Sequence, residues 1–296
     1  MAAAKAGRKK ALALAASGSL SVDALAGPLR PADWWRHAHH PGAISRRAAA
    51  AARRYGLRRR TLCEVEGDRV DVLESVRAEG RPRVYLSAGI HGDEPGGIEG
   101  LLRWLEEGPG ALNRFDFTII PCLNPGGLRL NIRTDVAGRD LNRSFNQTGA
   151  KASPSIAALK KYLPARTAEA PFALALLLHE DYDACGLYLY ELNDRKPHWG
   201  RQLLDAAHAA IPSDPRPRIE GRVARAGVMV RDVHDPALQA FLRENGMAEA
   251  PHLVLEGQAR RAFTVESPSE FDLDRRAEAH RLIIGKALEL LAESGG

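Results

Sequence analysis

Almost continuous apolar runs alternate along the chain with segments whose apolar residues recur every three or four positions. The run RVYLSAGI at 83–90 is typical of a strand that is buried on both faces of a sheet. It leads into GIEGLLRWLEEG at 97–108, where Ile98, Leu102 and Leu105 fall on one face of a helix. This order predicts a buried strand followed directly by an amphipathic helix.

The same order repeats towards the end of the chain. FDFTIIPCLN at 115–124 and PFALALLLHE at 171–180 are predicted to be buried strands, each followed by a polar loop. CGLYLYEL, LVLE and AFTVE add shorter strands, and EFDLDRRAEAHRLIIGKALELLAES has the spacing of a closing helix. Strands that alternate with helices predict an α/β fold, with a mixed, mostly parallel twisted sheet and helices on both faces.

The first part of the chain has a different pattern. Residues 1–30 are rich in Ala, Gly, Ser and Lys and show no sustained period, which is typical of a flexible segment. Residues 44–56, ISRRAAAAARRYG, favour a helix that ends at a glycine, and the following RTLCEVEGDRVDVLES alternates as a β-hairpin does. We therefore predict a flexible, basic N-terminal segment at 1–44 and a single folded domain at 45–296.

The positive charge of the chain is concentrated near its start. Over the whole chain, 42 Lys and Arg residues exceed 37 Asp and Glu residues by 5. Residues 1–60 hold 13 basic and 2 acidic residues, a local charge of +11, which leaves 29 basic and 35 acidic residues in the remainder. A nucleic-acid contact is the alternative to a solvated tail, but no basic motif interleaved with aromatic residues supports it. Nucleic-acid binding is therefore not expected.

Cysteine content and the lengths of apolar runs bear on location. The three cysteines are far apart and include no C-x-x-C pair, which predicts free thiols and a reducing compartment. Near the N-terminus the apolar stretch ALALAA has six residues, fewer than the roughly 7–15 of a secretory signal. No run reaches the about 18 apolar residues of a membrane span, so no membrane contact is expected. We expect a cytoplasmic protein, and secretion or a periplasmic location is the less favoured alternative.

Two potential metal ligands follow the first buried strand. In SAGIHGDEPGG, His91 and Glu94 are three residues apart, and the glycines and proline allow a tight turn in which both side chains can reach one point. His179 stands in a similar context in LALLLHEDYD and is the expected third ligand, while His39 and His40 are the alternatives. Two histidines and one carboxylate are a common ligand set for catalytic zinc, so one zinc ion per chain is expected.

Hydrolysis by activated water also needs a carboxylate that accepts a proton without binding the metal. Glu266, in AFTVESPS, ends a predicted strand near the same sheet edge, and Glu256 in LVLEG is its competitor. Anion binding is expected in NPGGLRLNIRTDVAGRDLNRSF, because a guanidinium can hold a carboxylate with paired hydrogen bonds. The residues alone do not distinguish among its four arginines, which are Arg129, Arg133, Arg139 and Arg143.

The motifs HGDE, NPGGLRLNIRTDVAGRDLNRSF, LLLHED and FTVESPS occur in the order found in the zinc metallocarboxypeptidases, and the sequence resembles this superfamily over residues 45–290. The superfamily includes carboxypeptidase A-like enzymes, bacterial murein peptide amidases and the aspartoacylase/succinylglutamate desuccinylase branch. The resemblance implies that His91, Glu94 and His179 bind zinc, that Arg133 polarises the scissile carbonyl, that Glu266 is the general base, and that Asn142 and Arg143 bind the substrate's terminal carboxylate.

The resemblance implies a zinc-dependent metallocarboxypeptidase that hydrolyses the C-terminal amide bond of a peptide with metal-activated water. A zinc-dependent deacylase of an N-acyl amino acid is the first alternative, and a non-catalytic peptide- or nucleic-acid-binding protein on the same scaffold is the second. The expected partner is a small peptide or acyl-amino-acid substrate with a free carboxylate. The oligomeric state stays open.

Two positions depart from the digestive enzymes of the superfamily. The residue before the metal-binding glutamate is Asp93, where those enzymes have an arginine. Residues 236–265 contain no tyrosine, whereas those enzymes have a mobile tyrosine before the base, and Tyr182, Tyr188 and Tyr190 are the alternatives for it. Digestive-type specificity is therefore not expected.

Overall fold

The computed structural model describes residues 38–108, 110–192 and 196–295. Its strands are β1 (Arg58–Val65), β2 (Asp68–Glu74), β3 (Arg83–Ala88), β4 (Asp116–Ile120), β5 (Leu174–Asp181), β6 (Tyr188–Leu192), β7 (Arg218–Ile219), β8 (Arg222–Val223), β9 (Val228–Arg231) and β10 (Ala262–Pro268). Its α-helices are α1 (Pro41–Arg54), α2 (Pro95–Glu106), α3 (Pro125–Leu130), α4 (Pro154–Thr167), α5 (Gly200–Ala207), α6 (Pro236–Asn245), α7 (Glu249–Leu255) and α8 (Leu273–Glu293). Within these described ranges, no helix is both long and apolar enough to cross a membrane.

Eight of the strands form one sheet in the order β1-β2-β4-β3-β5-β10-β6-β9. The central strands β4, β3, β5 and β10 run parallel to one another, and β2 and β6 join them in the antiparallel direction. β1 and β2 form the predicted hairpin at one edge. The predicted α/β fold, with a mixed, mostly parallel sheet, is confirmed.

Helices cover both faces of the sheet. On one face α1, α2, α5 and α8 pack around a core that includes Leu102 and Ile284. On the other face α4 and α7 pack around a second core that includes Leu159, Leu177 and Leu253. The two cores hold the central strands between them, so the polar ends of β3, β5 and β10 are fixed at one edge of the sheet.

The predicted N-terminal helix is α1, which begins at Pro41, inside the segment that was expected to be flexible. Gly56 follows the helix with a φ of +67°, a conformation that favours glycine and ends a helix. Arg47 of α1 pairs with the buried Glu99 of α2 at 2.8 Å, so α1 is packed into the domain. Residues 1–37 lie outside the described part of the chain.

One predicted strand is wrong. The run LVLE at 253–256 lies at the end of α7, where Leu253 packs into the second core. A four-residue apolar run is compatible with either a buried strand or a buried helix, and its period alone does not separate them. The region between Gly200 and Asn245 contains further elements that the apolar pattern did not predict, which are α5, the strands β7, β8 and β9, and α6.

Candidate active site

The expected metal ligands and general base lie at the carboxyl ends of β3, β5 and β10, which are neighbours in the sheet. His91 and Glu94 lie in the turn between β3 and α2. His179 and Glu266 lie near the carboxyl ends of β5 and β10, within two residues of the last residue of each strand. His179 and Glu266 are paired with each other in the register of the parallel strands β5 and β10. Residues in register point to the same face of a sheet, so their side chains are neighbours.

Two glycines allow the segment after β3 to pack closely, Gly92 against backbone and Gly96 against a side chain. A Cβ atom on Gly92 would lie 2.0 Å from the carbonyl carbon of Gly127 in α3. A Cβ atom on Gly96 would lie 2.0 Å from Oε1 of Glu180. Cβ atoms do not approach other atoms so closely, and a side chain at either position would displace the turn that carries two expected metal ligands.

The two histidines and Glu94 form a buried group that could hold a metal ion. Nδ1 of His91 lies 2.6 Å from Oε1 of Glu94, and Nδ1 of His179 lies 2.9 Å from Oε2. One potential ligand atom from each residue lies within 4.8 Å of the other two. Burial disfavours ionisation of Glu94, but the two imidazoles outweigh it and hold the pKa of this carboxyl well below its ordinary value. The group therefore offers an anionic carboxylate, as metal binding requires.

The two imidazoles differ in their affinity for a proton. For His91, burial opposes protonation, yet the carboxylates of Glu94 and Asp140 raise its pKa above the ordinary value. For His179, burial dominates and lowers the pKa. A metal ion binds neutral imidazoles, so it would compete with a proton mainly at His91. One carboxylate and two imidazoles are a donor set that fits zinc.

Asp140 joins the metal group to the arginine-rich loop. Its Oδ1 lies 3.3 Å from Nε2 of His91 and accepts the backbone N–H of Asn142 at 2.9 Å. Its Oδ2 accepts Nε–H of Arg133 at 3.0 Å. A carboxylate on the second nitrogen of a ligating histidine fixes the orientation of the ring. Asp140 was not among the residues expected from the sequence, although in RDLNR it lies two residues before Asn142.

Two of the four arginines in the loop stabilise its fold. Arg129 forms an ion pair with Asp68, at the start of β2. Arg139 pairs with Asp135 at 2.7 Å and donates to the carbonyl oxygen of Ala152. These contacts pair both guanidinium groups with carboxylates outside the metal group, which makes Arg133 and Arg143 the better candidates for binding a substrate beside it.

The other two arginines lie near Asp140. The side chain of Arg133 is 41% exposed, and its Nη1 lies 3.6 Å from Oε1 of Glu94. Arg143 is half-buried, and its Nη1 donates to the carbonyl oxygen of Asn142. The side-chain Oδ1 of Asn142 accepts the backbone N–H of Glu249 at 2.9 Å. That bond leaves the Nδ2 group of Asn142 as a donor for a ligand.

Glu266 is half-buried beside the metal group, and its side-chain carboxyl forms no hydrogen bond with the described residues. Burial raises its pKa well above the ordinary value, and Glu94 adds to the increase while Arg133 opposes it. The competing carboxylate, Glu256, is exposed at the C-terminal end of α7. Glu266 is therefore the better-placed carboxylate for proton transfer.

Two of the three alternative tyrosines lie on β6, next to the strand of Glu266. Tyr188 is the partner of Glu266 in the antiparallel register. The hydroxyl of Tyr190 donates to Glu220, in the turn between β7 and β8. Tyr182 is 69% exposed. Tyr188 and Tyr190 are consequently the tyrosines that lie on the same face of the sheet as Glu266.

The alternative metal ligands have other partners. Nδ1 of His40 accepts the backbone N–H of Ala43 at 3.3 Å and caps α1. His39 forms a hydrogen bond with the backbone of Leu128, and burial lowers its pKa. Neither imidazole belongs to the potential metal group in the described chain.

Comparison with known protein families matches residues 80–215 to the succinylglutamate desuccinylase/aspartoacylase catalytic domain. The matched segment contains the three potential metal ligands, Arg133 and the Asn142–Arg143 pair, and it ends before β10. A comparison with curated protein sequences finds no match.

Solved structures with the same fold include candidate and named metallopeptidases. A candidate metallopeptidase from Shewanella denitrificans OS217 has a TM-score of 0.72 and 24% identity, over 84% of this chain and 89% of that chain. Another from Shewanella baltica OS155 has a TM-score of 0.74 and 22% identity, over 86% of this chain and 93% of that one. A metallo-carboxypeptidase from Burkholderia cenocepacia has a TM-score of 0.62 and 16% identity, over 85% of this chain and 69% of that one. At these identities the likeness establishes the shared fold.

Proposed function

We propose that this chain, which has the fold of the zinc carboxypeptidase superfamily, is a zinc-dependent metallocarboxypeptidase that hydrolyses the C-terminal amide bond of small peptides. The observation that carries the proposal is the arrangement around Asp140. This one carboxylate contacts His91 of the metal group, Arg133 and the backbone of Asn142. It therefore places a potential carbonyl-binding arginine and a potential carboxylate-binding pair next to a potential metal site.

Zinc is the metal that best fits the residues present. Two imidazoles and an ionised carboxylate converge in a buried position, which is a ligand set typical of catalytic zinc. When bound, zinc supplies a water molecule with a pKa of about 7 and a Lewis acid for the scissile carbonyl. One zinc ion per chain is proposed.

The side chains around the metal group would carry the remaining chemistry. Glu266 would accept a proton from the attacking water and later give it to the leaving amine. Arg133, whose guanidinium is partly exposed beside Glu94, would donate to the carbonyl oxygen as negative charge develops on it. The raised pKa of Glu266 suits a carboxylate that has to be protonated and deprotonated in each cycle.

The Asn142–Arg143 pair would select the end of the substrate. The free Nδ2 donor of Asn142 and the guanidinium of Arg143 match the two oxygens of a carboxylate. A charge-assisted contact of this kind contributes about 1.5–3 kcal/mol, or roughly 10–150-fold in binding. The carboxylate would then lie one residue from the scissile amide, which defines an exopeptidase.

Deacylation of an N-acyl amino acid is the second candidate, and the family match over residues 80–215 favours it. Such a substrate also has a free carboxylate next to an amide bond. It would use the same metal group and the same Asn142–Arg143 pair. The two candidates differ only in what lies on the acyl side of the scissile bond.

The test uses the zinc-loaded protein with two classes of substrate, N-terminally blocked dipeptides and N-acyl amino acids. Each substrate is compared with its C-terminal amide. Free acids should be hydrolysed at least tenfold faster than their amides in kcat/KM, and removal of the metal with a chelator should abolish turnover until zinc is restored. Arg143→Ala should remove most of the preference for acids. Arg129→Ala is the matched control, because Arg129 pairs with Asp68 and its loss should leave the preference intact.

The pattern of turnover separates the candidates. Hydrolysis of peptides over N-acyl amino acids supports the carboxypeptidase, and the reverse order supports the deacylase. Equal turnover of acids and amides by the unmutated protein would contradict the role of the Asn142–Arg143 pair in both.

A further inference from the structure

A segment distant in the sequence holds the Asn142–Arg143 pair in place. We call residues 246–249 the strap. Ser144 and Met247 form an isolated parallel bridge, and the backbone N–H of Phe145 donates to the carbonyl oxygen of Met247 at 3.1 Å. Gly246 has a φ of +93°, and a Cβ atom there would lie 2.3 Å from the carbonyl oxygen of Arg143. The strap thus runs in direct contact with the backbone of residues 143–145.

The last residue of the strap also fixes the Asn142 side chain. The backbone N–H of Glu249 donates to Oδ1 of Asn142 at 2.9 Å. An N–H group needs an oxygen opposite it, so this contact determines which end of the amide is Oδ1 and which is Nδ2. Nδ2, the only donor of the side chain, therefore remains for a ligand, and a carboxylate offers only acceptors.

The side chain of Glu249 anchors the strap to the sheet. Its Oε1 accepts the hydroxyl of Tyr85 at 2.5 Å, and its Oε2 accepts the hydroxyl of Ser87 at 3.0 Å. All three side chains are buried. Tyr85 and Ser87 belong to β3, the strand that leads into the turn of His91 and Glu94. Two of the expected metal ligands, His91 and Glu94, and the amide of Asn142 are therefore positioned from the same strand.

Burial of a carboxyl group costs more free energy than burial of an apolar side chain of similar size. The carboxyl group has to be desolvated, and it is tolerated only when hydrogen bonds satisfy its oxygens. An apolar residue at 249 could pack in the same core, where Ala250 and Leu253 of α7 already lie, but it could not hold the hydroxyl groups of β3. The carboxyl group at position 249 therefore indicates that the strap has to be held at a fixed position on β3.

We propose that Glu249 is a positioning residue for substrate binding, which sets the orientation of Asn142 through its own backbone N–H because its carboxyl group is held by Tyr85 and Ser87. The inference rests on the proposed function, in which Asn142 and Arg143 bind the carboxylate of the substrate. It adds that the preference for free acids depends on a residue that does not touch the substrate.

The test measures the preference for a blocked dipeptide over its C-terminal amide with the zinc-loaded protein and its variants. Glu249→Ala should raise KM for the free acid at least tenfold, while kcat/KM for the amide and the zinc content stay within twofold of the unmutated protein. Glu249→Gln keeps an acceptor for Tyr85 and should retain most of the preference. Glu256→Ala, a change of the exposed glutamate at the other end of α7, is the matched control and should have no effect.

Tyr85→Phe provides a second variant, because it removes one hydroxyl and leaves the core packing unchanged. Tyr85→Phe should lower the preference for the acid, but by less than Glu249→Ala does. If Glu249→Ala does not fold, Tyr85→Phe alone tests whether Glu249 positions Asn142. An unchanged preference in a folded Glu249→Ala or Tyr85→Phe variant would overturn the inference, and so would an equal loss for acid and amide. If the unmutated protein shows no preference for the acid, the proposed function itself fails.

Discussion

At the scale of single residues, Glu266 differs from the other carboxylates near the metal group. Glu94 and Asp140 accept hydrogen bonds from imidazole or guanidinium groups, whereas Glu266 forms none with the described residues and has a raised pKa because of burial and Glu94. We expect Glu266→Gln to lower kcat by roughly 100-fold or more, since an amide cannot accept the proton of water. Steady-state kinetics and metal analysis should show this loss with zinc still bound.

The control for this change is Glu256→Gln. Glu256 is exposed at the end of α7, so its variant should have unchanged kcat. If Glu256→Gln were inactive and Glu266→Gln normal, the two roles would have to be exchanged.

The residues of the candidate site differ in how far the sequence alone can assign them. His91 and His179 each follow an apolar run, and parallel strands bring such positions to one edge of a sheet. The arginines between Asn124 and Phe145 share one local context, so spacing cannot separate them. Arg129 is distinguished by its partner Asp68 on the β1–β2 hairpin, which only the tertiary structure places beside it.

At the scale of elements, α2 and α8 approach each other closely at a glycine. A Cβ atom on Gly100 of α2 would lie 2.5 Å from Cβ of His280 and 2.6 Å from the carbonyl oxygen of Ala277, both in α8. We expect Gly100→Ala to lower the free energy of unfolding by about 1–3 kcal/mol, because the two helices would have to move apart. Denaturant unfolding of the purified variant measures the change.

A second glycine in a helix is the matched comparison. Gly285 of α8 is exposed, and a Cβ atom there would have no neighbour within 4 Å. Gly285→Ala should therefore raise the free energy of unfolding by about 0.5–1 kcal/mol, the usual gain in helix propensity. If both variants changed stability in the same direction, the close packing of α2 on α8 would not be the deciding effect.

The elements also differ in how strongly the sequence specifies them. α2 follows from the period of its apolar residues, whereas β3 follows from a short, nearly continuous apolar run that leads into a turn rich in glycine and proline. LVLE at 253–256 has no such period, and it joined a helix because the residues from Glu249 onwards already form one. The hairpin of β7 and β8 has two residues in each strand, which is too short for any hydrophobic pattern to develop.

At the scale of the whole molecule, the metal group ties together the two central strands of the sheet. His91 and Glu94 follow β3, His179 belongs to β5, and these strands are parallel neighbours between the two cores. The matched family segment ends before β10, so Glu266 comes from a strand beyond it. The whole site, with its expected base, is therefore complete only when the C-terminal part of the sheet is formed. Because the potential metal ligands come from two neighbouring strands, metal binding and the stability of the fold should be coupled.

This coupling can be measured as the effect of zinc on unfolding. A ligand that binds only the folded state raises the free energy of unfolding by about 1.4 kcal/mol for each tenfold increase in free ligand above its Kd. Removal of the metal should lower the midpoint of thermal unfolding, and added zinc should restore it in a concentration-dependent manner. His179→Ala should abolish the dependence, whereas His40→Asn, which keeps a side-chain acceptor at the cap of α1, should preserve it.

The effect of zinc should also depend on pH. The carboxylates around His91 raise its pKa in the metal-free protein, and a proton on this imidazole has to leave before a metal ion can bind. As the pH falls through the pKa of His91, protons compete more strongly, so the stabilisation by a fixed zinc concentration should decrease. Thermal unfolding with and without zinc over a series of pH values measures this difference. A stabilisation that stayed constant, or that increased towards acidic pH, would contradict zinc binding through His91.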